Sequence, residues 1–257
     1  LLWKTHRKSL PKGQRNAHEK ELLTKLKQTL PVGIFVTVVA DRGFGYMELF
    51  ERLEQELGFA YLIRFKGNVL VGYPGVEQVP ARDWLTPTGR TRTLKAVELT
   101  GQRQPVERVY CCHKSGMKDA WFLASNRTDL SAAKALQLYG QRWGIETSFR
   151  DIKDYKFGMG MGYVHISNPV RRDRLFLFSA LAIVLLTLLG KAGDSVGLER
   201  TIKVNTSKSR TYSFFRQGVI YYQLLPKMKE ANAVLLMDKF IYYLKQHRLY
   251  TRTLGII

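Results

Sequence analysis

Four side chains recur at helical spacing in the middle of the chain: Tyr139, Arg142, Glu146 and Lys153, at steps of three, four and seven. At about 100° per residue their directions fall within roughly 60° of one another. A helix there turns a phenol, a guanidinium, a carboxylate and an ammonium the same way, with Arg150 close to that face. A carboxylate fenced by cations is what a metal and phosphate site needs. The acid holds the metal and the cations hold the phosphate backbone. The same spacing also suits a solvated face with an Arg142–Glu146 pair four residues apart, worth about 0.2–0.5 kcal/mol. Tyr139 and Trp143 on such a face speak against solvation alone. A second acid, Asp41, closes an apolar, β-branched run and precedes Arg42 and Gly43. Ligands of open α/β sheets collect beyond the carboxyl ends of strands, which makes Asp41 a metal-ligand candidate. A turn residue that starts the next helix is the other reading.

The elements that must position these residues alternate. Asn16 to Leu30 reads as a helix, with Asn16 and Glu19 at capping-box spacing and Leu22, Leu23, Leu26 and Leu30 on one stripe. Pro31 ends it. Ile34 to Ala40 reads as a buried strand, Phe44 to Leu57 as an amphipathic helix stopped by Gly58, and Phe59 to Phe65 as another strand. Helix, strand, helix, strand is the alternation of an α/β layer. From Lys66 to Arg127 Gly and Pro are frequent, and Asn68–Val71, Thr93–Thr100, Val106–Cys112 and Trp121–Ala124 read as antiparallel strands. Helical character returns at Ser131 and persists to about Lys156, where Gly158, Gly160 and Gly162 break it. Asn168 and Pro169 start a further helix. Its apolar run Leu175–Leu189 spans roughly 22 Å, short of the ~30 Å hydrocarbon core, so a buried helix is expected. Asp194 to Ile257 reads as helical around a basic loop at Thr206–Tyr212.

Composition bounds the partner. The 257 residues carry 41 Lys and Arg against 21 Asp and Glu, a net charge of +20. Hydrophobic residues at 45% exclude a disordered chain. Two adjacent cysteines, Cys111 and Cys112, exclude a disulfide scaffold and lack zinc-ligand spacing. Eight basic residues against two acids in residues 1–40, and eleven against three in 199–257, spread the charge over a long surface for a polyanion. Nucleic acid comes first and an anionic membrane second. Gly158-x-Gly160-x-Gly162 follows a helix rather than a strand, so it is not a dinucleotide loop.

Tyr139-x2-Arg142-x3-Glu146-x6-Lys153 resembles the YREK signature of bacterial insertion-sequence transposases with a DDE triad, those similar to insertion sequence four. The surrounding Tyr-Gly-Gln-Arg-Trp-Gly-Ile-Glu-Thr-Ser-Phe-Arg-Asp-Ile-Lys resembles that family's helix, and Val-Ala-Asp-Arg-Gly-Phe at 39–44 its segment around the second catalytic aspartate. The resemblance implies an α/β, ribonuclease-H-like catalytic fold, incomplete at the N-terminus, with a β-rich insertion and a helical C-terminal region. It divides the chain into 1–65, the remaining first part of the catalytic domain; 66–128, the insertion; 129–190, the second part, with the Glu146 helix; and 191–257, the helical region. It makes Asp41 and Glu146 the second and third carboxylates, holding Mg2+ or Mn2+, two ions in the complete site. It assigns Tyr139, Arg142, Lys153 and Arg150 to DNA. Trp121 resembles an aromatic that stacks a displaced base near the transposon end; the other reading is a core residue. Two metals ~3.5–4 Å apart serve in-line displacement at phosphorus: water attack frees a 3′-hydroxyl, which then attacks target DNA. The implied partners are double-stranded DNA, as transposon ends and target, and a second copy at synapsis. No membrane is implied, and the implied location is the bacterial cytoplasm, near the nucleoid.

The family's first aspartate has no counterpart, because no aspartate precedes Asp41. By resemblance, Leu1 to about Thr5 is the tail of an early strand that follows it. The expectation is a chain truncated at its N-terminus, inactive alone and poorly stable. The alternative function is a non-catalytic DNA-binding remnant that binds transposon ends or an intact transposase.

Overall fold

The computed structural model describes residues 11, 14–156, 158–203, 206 and 210–246. The strands are β1 (Thr37–Ala40), β2 (Ala60–Arg64), β3 (Leu70–Gly72), β4 (Val79–Pro80), β5 (Arg92–Leu99), β6 (Gln104–Cys112) and β7 (Trp121–Ser125). The α-helices are α1 (Gln14–Thr29), α2 (Met47–Glu51), α3 (Ala132–Gly140), α4 (Gly144–Lys153), α5 (Pro169–Ser195), α6 (Phe214–Leu224) and α7 (Glu230–Gln246). The chain divides into two compact units, Glu19–Glu146 and Leu1–His18 with Thr147–Ile257. The expected early strand at Leu1–Thr5 lies outside the described residues, as do part of the Thr206–Tyr212 loop and everything after Gln246.

The first unit is built on one mixed sheet in the order β1-β2-β7-β6-β5-β3-β4. β1 and β2 are parallel, from Thr37 opposite Ala60 to Ala40 opposite Ile63. A parallel pair needs a crossover, which α2 supplies. The other neighbours are antiparallel. Successive side chains take opposite faces. Tyr61, Ile63, Val109, Cys111, Phe122 and Ala124 join a layer with Phe50 and Leu53, and Leu23 and Leu26 of α1 pack on it. Phe50 stacks on Tyr61 with ring centres 4.7 Å apart. Leu62, Tyr110 and Leu123 face the other way, where Leu130, Ala135 and Tyr139 cover them. Each large side chain so buried contributes about 1.5–3 kcal/mol.

The expected helix at 44–57 is a 3-10 turn at Arg42–Phe44, then α2, then a π turn at Arg52–Glu56. Gly58 follows with φ +60°, a left-handed stop as its residue type predicts. The buried strand expected from Ile34 is corrected. β1 begins at Thr37, its four residues are half-buried, and Ile34 and Phe35 are 52% and 71% exposed. The apolar run does not decide burial, because among the described residues β1 has one sheet neighbour. The helix expected from Ser131 to Lys156 forms as α3 and α4 joined by a 3-10 turn at Gln141–Trp143, with the Ser131 hydroxyl capping α3 by accepting from the Lys134 amide at 3.3 Å.

In the second unit the Met159 amide donates to the Asp151 carbonyl at 2.8 Å, so the glycine-rich segment closes the end of α4. Asn168 caps α5, accepting from the Val170 and Arg171 amides. α6 crosses α5 so closely that a Cβ at Gly190 would overlap the Phe214 carbonyl. The length argument about the Leu175–Leu189 run is corrected as well. The run sits inside a 27-residue helix, long and apolar enough to cross a membrane, a test that a core helix also passes. Its flanks are the reason the run alone misleads. Asn168 and Pro169 start the helix six residues before Leu175, and it continues through Lys191 and Asp194.

The loop after β1 is pinned to the end of β2. A Cβ at Gly45 would lie 2.8 Å from the Arg64 carbonyl oxygen and 3.1 Å from Phe65 Cα, both backbone atoms that cannot give way cheaply. Gly45→Ala is expected to cost about 1–3 kcal/mol in urea unfolding. Unchanged stability would mean that the loop is not packed there.

Candidate catalytic site

Asp41 follows the last residue of β1 and caps the 3-10 turn behind it, its Oδ1 accepting from the Arg42 amide at 2.7 Å. The turn reading of this residue thus holds, and its place at the carboxyl end of β1 is the one from which the metal-ligand reading started. The β1–β2 register, carried one step further, sets Arg64 beside it.

The helix after the sheet brings the partners. Tyr139, on the last turn of α3, is 1% exposed, and its hydroxyl donates to Asp41 Oδ1 at 3.2 Å. Arg142 lies in the 3-10 turn, its side chain 12% exposed. Its Nη2 is 3.8 Å from Asp41 Oδ2 and 3.6 Å from Glu146 Oε1. The guanidinium also faces the rings of Tyr139 and Trp143, at 5.6 and 5.3 Å from their centres. Glu146 is exposed, in the first turn of α4. The solvated-face reading therefore fails at Tyr139, which packs against the sheet, and at Arg142, and it describes Glu146 and Lys153, which are exposed. Trp121, half-buried at the start of β7, meets Tyr139 edge to face at 4.8 Å.

Arg150 and Lys153 follow on α4 and belong to the other unit. There the Lys153 ammonium sits over the Phe149 ring, 5.3 Å from its centre.

One residue of the site escaped the sequence reading. Arg64 has a side chain only 13% exposed, and its guanidinium donates to the Ala120 carbonyl at 3.0 Å. Its signal was present: a lone charge closing an otherwise apolar strand, in the same position that singled out Asp41.

Burial pushes the Asp41 carboxyl up, but the Arg42 amide, the Arg142 guanidinium, the Tyr139 hydroxyl and the charge of Arg64 outweigh it. The carboxyl is held below the usual aspartate range. Burial, and then the Asp41 charge, push the Tyr139 phenol up, so it stays a donor. Among the described residues no three of His, Cys, Asp and Glu gather closely enough to hold a metal ion. Asp41 and Glu146 offer two hard oxygen donors, but the Arg142 guanidinium bridges them. In this conformation they do not fit a metal pair.

A folded-state value below the unfolded one means that Asp41 contributes stability above the ordinary aspartate range. That contribution is lost as pH falls through the folded value. Tyr139→Phe removes one of the groups that lower it. The Asp41 carboxyl carbon, followed by NMR, is expected to titrate at higher pH in Y139F than in the wild type. Identical titrations would show that the phenol does not act on the carboxylate.

No curated protein matches the chain. The family model described as the transposase DDE domain matches residues 9–185, which takes in the whole sheet, Asp41, Tyr139, Arg142, Glu146 and both cationic residues of α4. The mixed sheet with helices on its faces agrees with the ribonuclease-H-like fold of that family, and on the extent of that match the chain belongs to the DDE transposases.

Proposed function

We propose that this chain is the catalytic part of a bacterial insertion-sequence transposase of the YREK type, similar to insertion sequence four. Its reaction is cleavage at a transposon end and transfer of the freed 3′-hydroxyl to target DNA. The observation that supports this most is the convergence of Asp41, Tyr139 and Glu146 on the single guanidinium of Arg142. These are the motif residues of two separate segments, brought together from 98 positions apart in the case of Tyr139 and Asp41.

The roles follow from chemistry. Tyr139 orients Asp41 by its hydrogen bond. Arg142, Arg150 and Lys153 hold phosphates beside the scissile bond, a planar fork from each arginine and a point charge from the lysine. Trp121 supports Tyr139 in the resting chain; stacking on a displaced base is its alternative. DDE transposases generally use divalent metal ions. The ion proposed here is Mg2+ or Mn2+, two in the complete site, with Asp41 and Glu146 among the ligands once Arg142 has moved. Synapsis of two ends calls for a second copy during reaction. We assign residues 1–65 and 129–190 to the catalytic domain, 66–128 to its β-rich insertion and 191–257 to the helical C-terminal region. The place of action is DNA in the bacterial cytoplasm, at the nucleoid.

Two acids rarely assemble a metal pair that three hold, and no aspartate precedes Asp41 in these 257 residues. With two such acids in place of three, the chain as given is expected to be inactive on its own. A metal-dependent strand-transfer assay on the purified chain checks this; robust activity would reject it. The same count of acids favours one second reading, a non-catalytic remnant. Its mark is a chain that binds DNA and lowers strand transfer by an intact transposase.

Phosphate binding is read separately from chemistry. Removing one phosphate-binding cation lowers the log–log salt slope of DNA binding by about 0.9. Arg142→Ala and Lys153→Ala are each expected to flatten the slope by about that amount. If both leave slope and affinity unchanged, the phosphates lie elsewhere.

A further inference from the structure

The glycine-rich segment after α4 is costly to build. A Cβ at Gly158 would overlap the Asp151 carbonyl, one at Gly162 would lie 2.9 Å from the Lys153 carbonyl oxygen, and Gly160 has φ +68°. Glycine loses more backbone freedom on folding than any other residue. The chain folds back here on the end of its own helix. The Met159 amide donates to the Asp151 carbonyl at 2.8 Å and the Gly160 amide to the Asp154 carbonyl at 2.9 Å. This return sets Tyr163 edge to face against Tyr155, with ring centres 5.3 Å apart. Neither ring is buried by it: Tyr155 is 72% and Tyr163 68% exposed. Aromatic area left in water gives the fold little of the stability that burial supplies. The charges around the pair are divided too. Arg150, Lys153 and Lys156 are exposed, whereas Asp151 and Asp154 are half-buried. Phe149, also exposed, carries the Lys153 ammonium over its ring.

We infer that Tyr155 and Tyr163 form a stacking surface for unpaired bases of a DNA strand, with Arg150, Lys153 and Lys156 on the phosphates of that strand. Every base has a π-face, so exposed aromatic rings take unpaired bases without reading sequence, and cations beside them track the backbone. A base pair inside a duplex hides both faces in its own stack and offers these rings nothing. The DNA partner comes from the family, and the part given to the cations rests on the reading of Arg150 and Lys153 as phosphate-binding residues. Cleavage and strand transfer both leave strand ends beside a duplex. An end that has come unpaired is the ligand this combination of rings and cations fits. The glycines then serve the site as well as the fold, because the turn they permit brings the second ring to the first.

The test uses the full chain and two probes: a short blunt-ended DNA duplex, and the same duplex with a short unpaired tail that carries 2-aminopurine, whose fluorescence falls on stacking. The wild type is expected to bind the tailed duplex about tenfold tighter than the blunt one and to quench the tail. Tyr155→Ala and Tyr163→Ala are each expected to lose about tenfold on the tailed duplex and to bind the blunt one as the wild type does. Both rings are exposed, so neither truncation opens a cavity in the core. Tyr155→Phe keeps the ring and is expected to keep the preference. A wild type that binds both probes alike, alanine variants that retain preference and quenching, or a Y155F that loses them would each overturn the stacking surface. Lys153→Ala is expected to flatten the salt slope on both probes and to leave the preference for the tail in place. If the tyrosine variants behave as expected while K153A leaves the slope unchanged, the stacking surface stands and the phosphate reading of Lys153 fails.

Discussion

A sheet covered on both faces can carry charge only where a strand ends. β2 and β7 are buried along almost their whole length, between the layer of α1 and α2 and the layer of α3. An unpaired carboxylate or guanidinium placed within those layers would cost several kcal/mol. Charge therefore appears at the first position where each strand leaves them: Asp41 after β1, Arg64 at the end of β2. Because β1 and β2 run parallel, both ends reach the same edge of the sheet. An antiparallel pair would have sent the acid and the base to opposite edges. The direction of one strand pair thus decides where the carboxylate meets its cations.

Much of this was legible in the sequence, for physical reasons that can be named. β2 and β7 carry apolar side chains on both faces because both faces are covered, so an apolar run marks them. Asp41 stood out as the first charge after such a run. The 139–153 segment stood out because four chemistry-bearing types shared one helical phase. What was not legible depended on neighbours distant in sequence. The same kind of apolar run that marks a central strand also occurs at 34–40, yet among the described residues β1 has one neighbour, and Phe35 faces solvent. Arg64 was read as strand and nothing more, because its meaning comes from the residue beside it in the sheet. The long helix α5 is apolar all round for most of its length, so no phase told which face α6 would cover; the glycines at 190 and 218, where the two helices nearly touch, carry that information only after the crossing is known.

Exposure changes quickly between positions 139 and 146. Tyr139 is buried, Arg142 nearly so, and Glu146 open. This gradient suits a site that holds one carboxylate rigidly and leaves the other free to adjust. Asp41 has a backbone amide, a phenol and a guanidinium around it, whereas Glu146 has one long ion pair, which at that exposure contributes little to stability.

Tyr139 ties the core to the chemistry. Its ring closes the second hydrophobic layer against Leu62, Tyr110 and Leu123, with Trp121 edge to face on it, while its hydroxyl reaches Asp41. A buried phenol must find a partner for its O–H, and here the hydroxyl donates to the acid at the strand end. Packing therefore orients the hydroxyl, and the hydroxyl orients the carboxylate. Any change that loosens the layer beneath α3 also loosens Asp41, even where it touches no charged atom. In this fold the stability of the α3 layer and the geometry of the site are one property, since the same ring serves both.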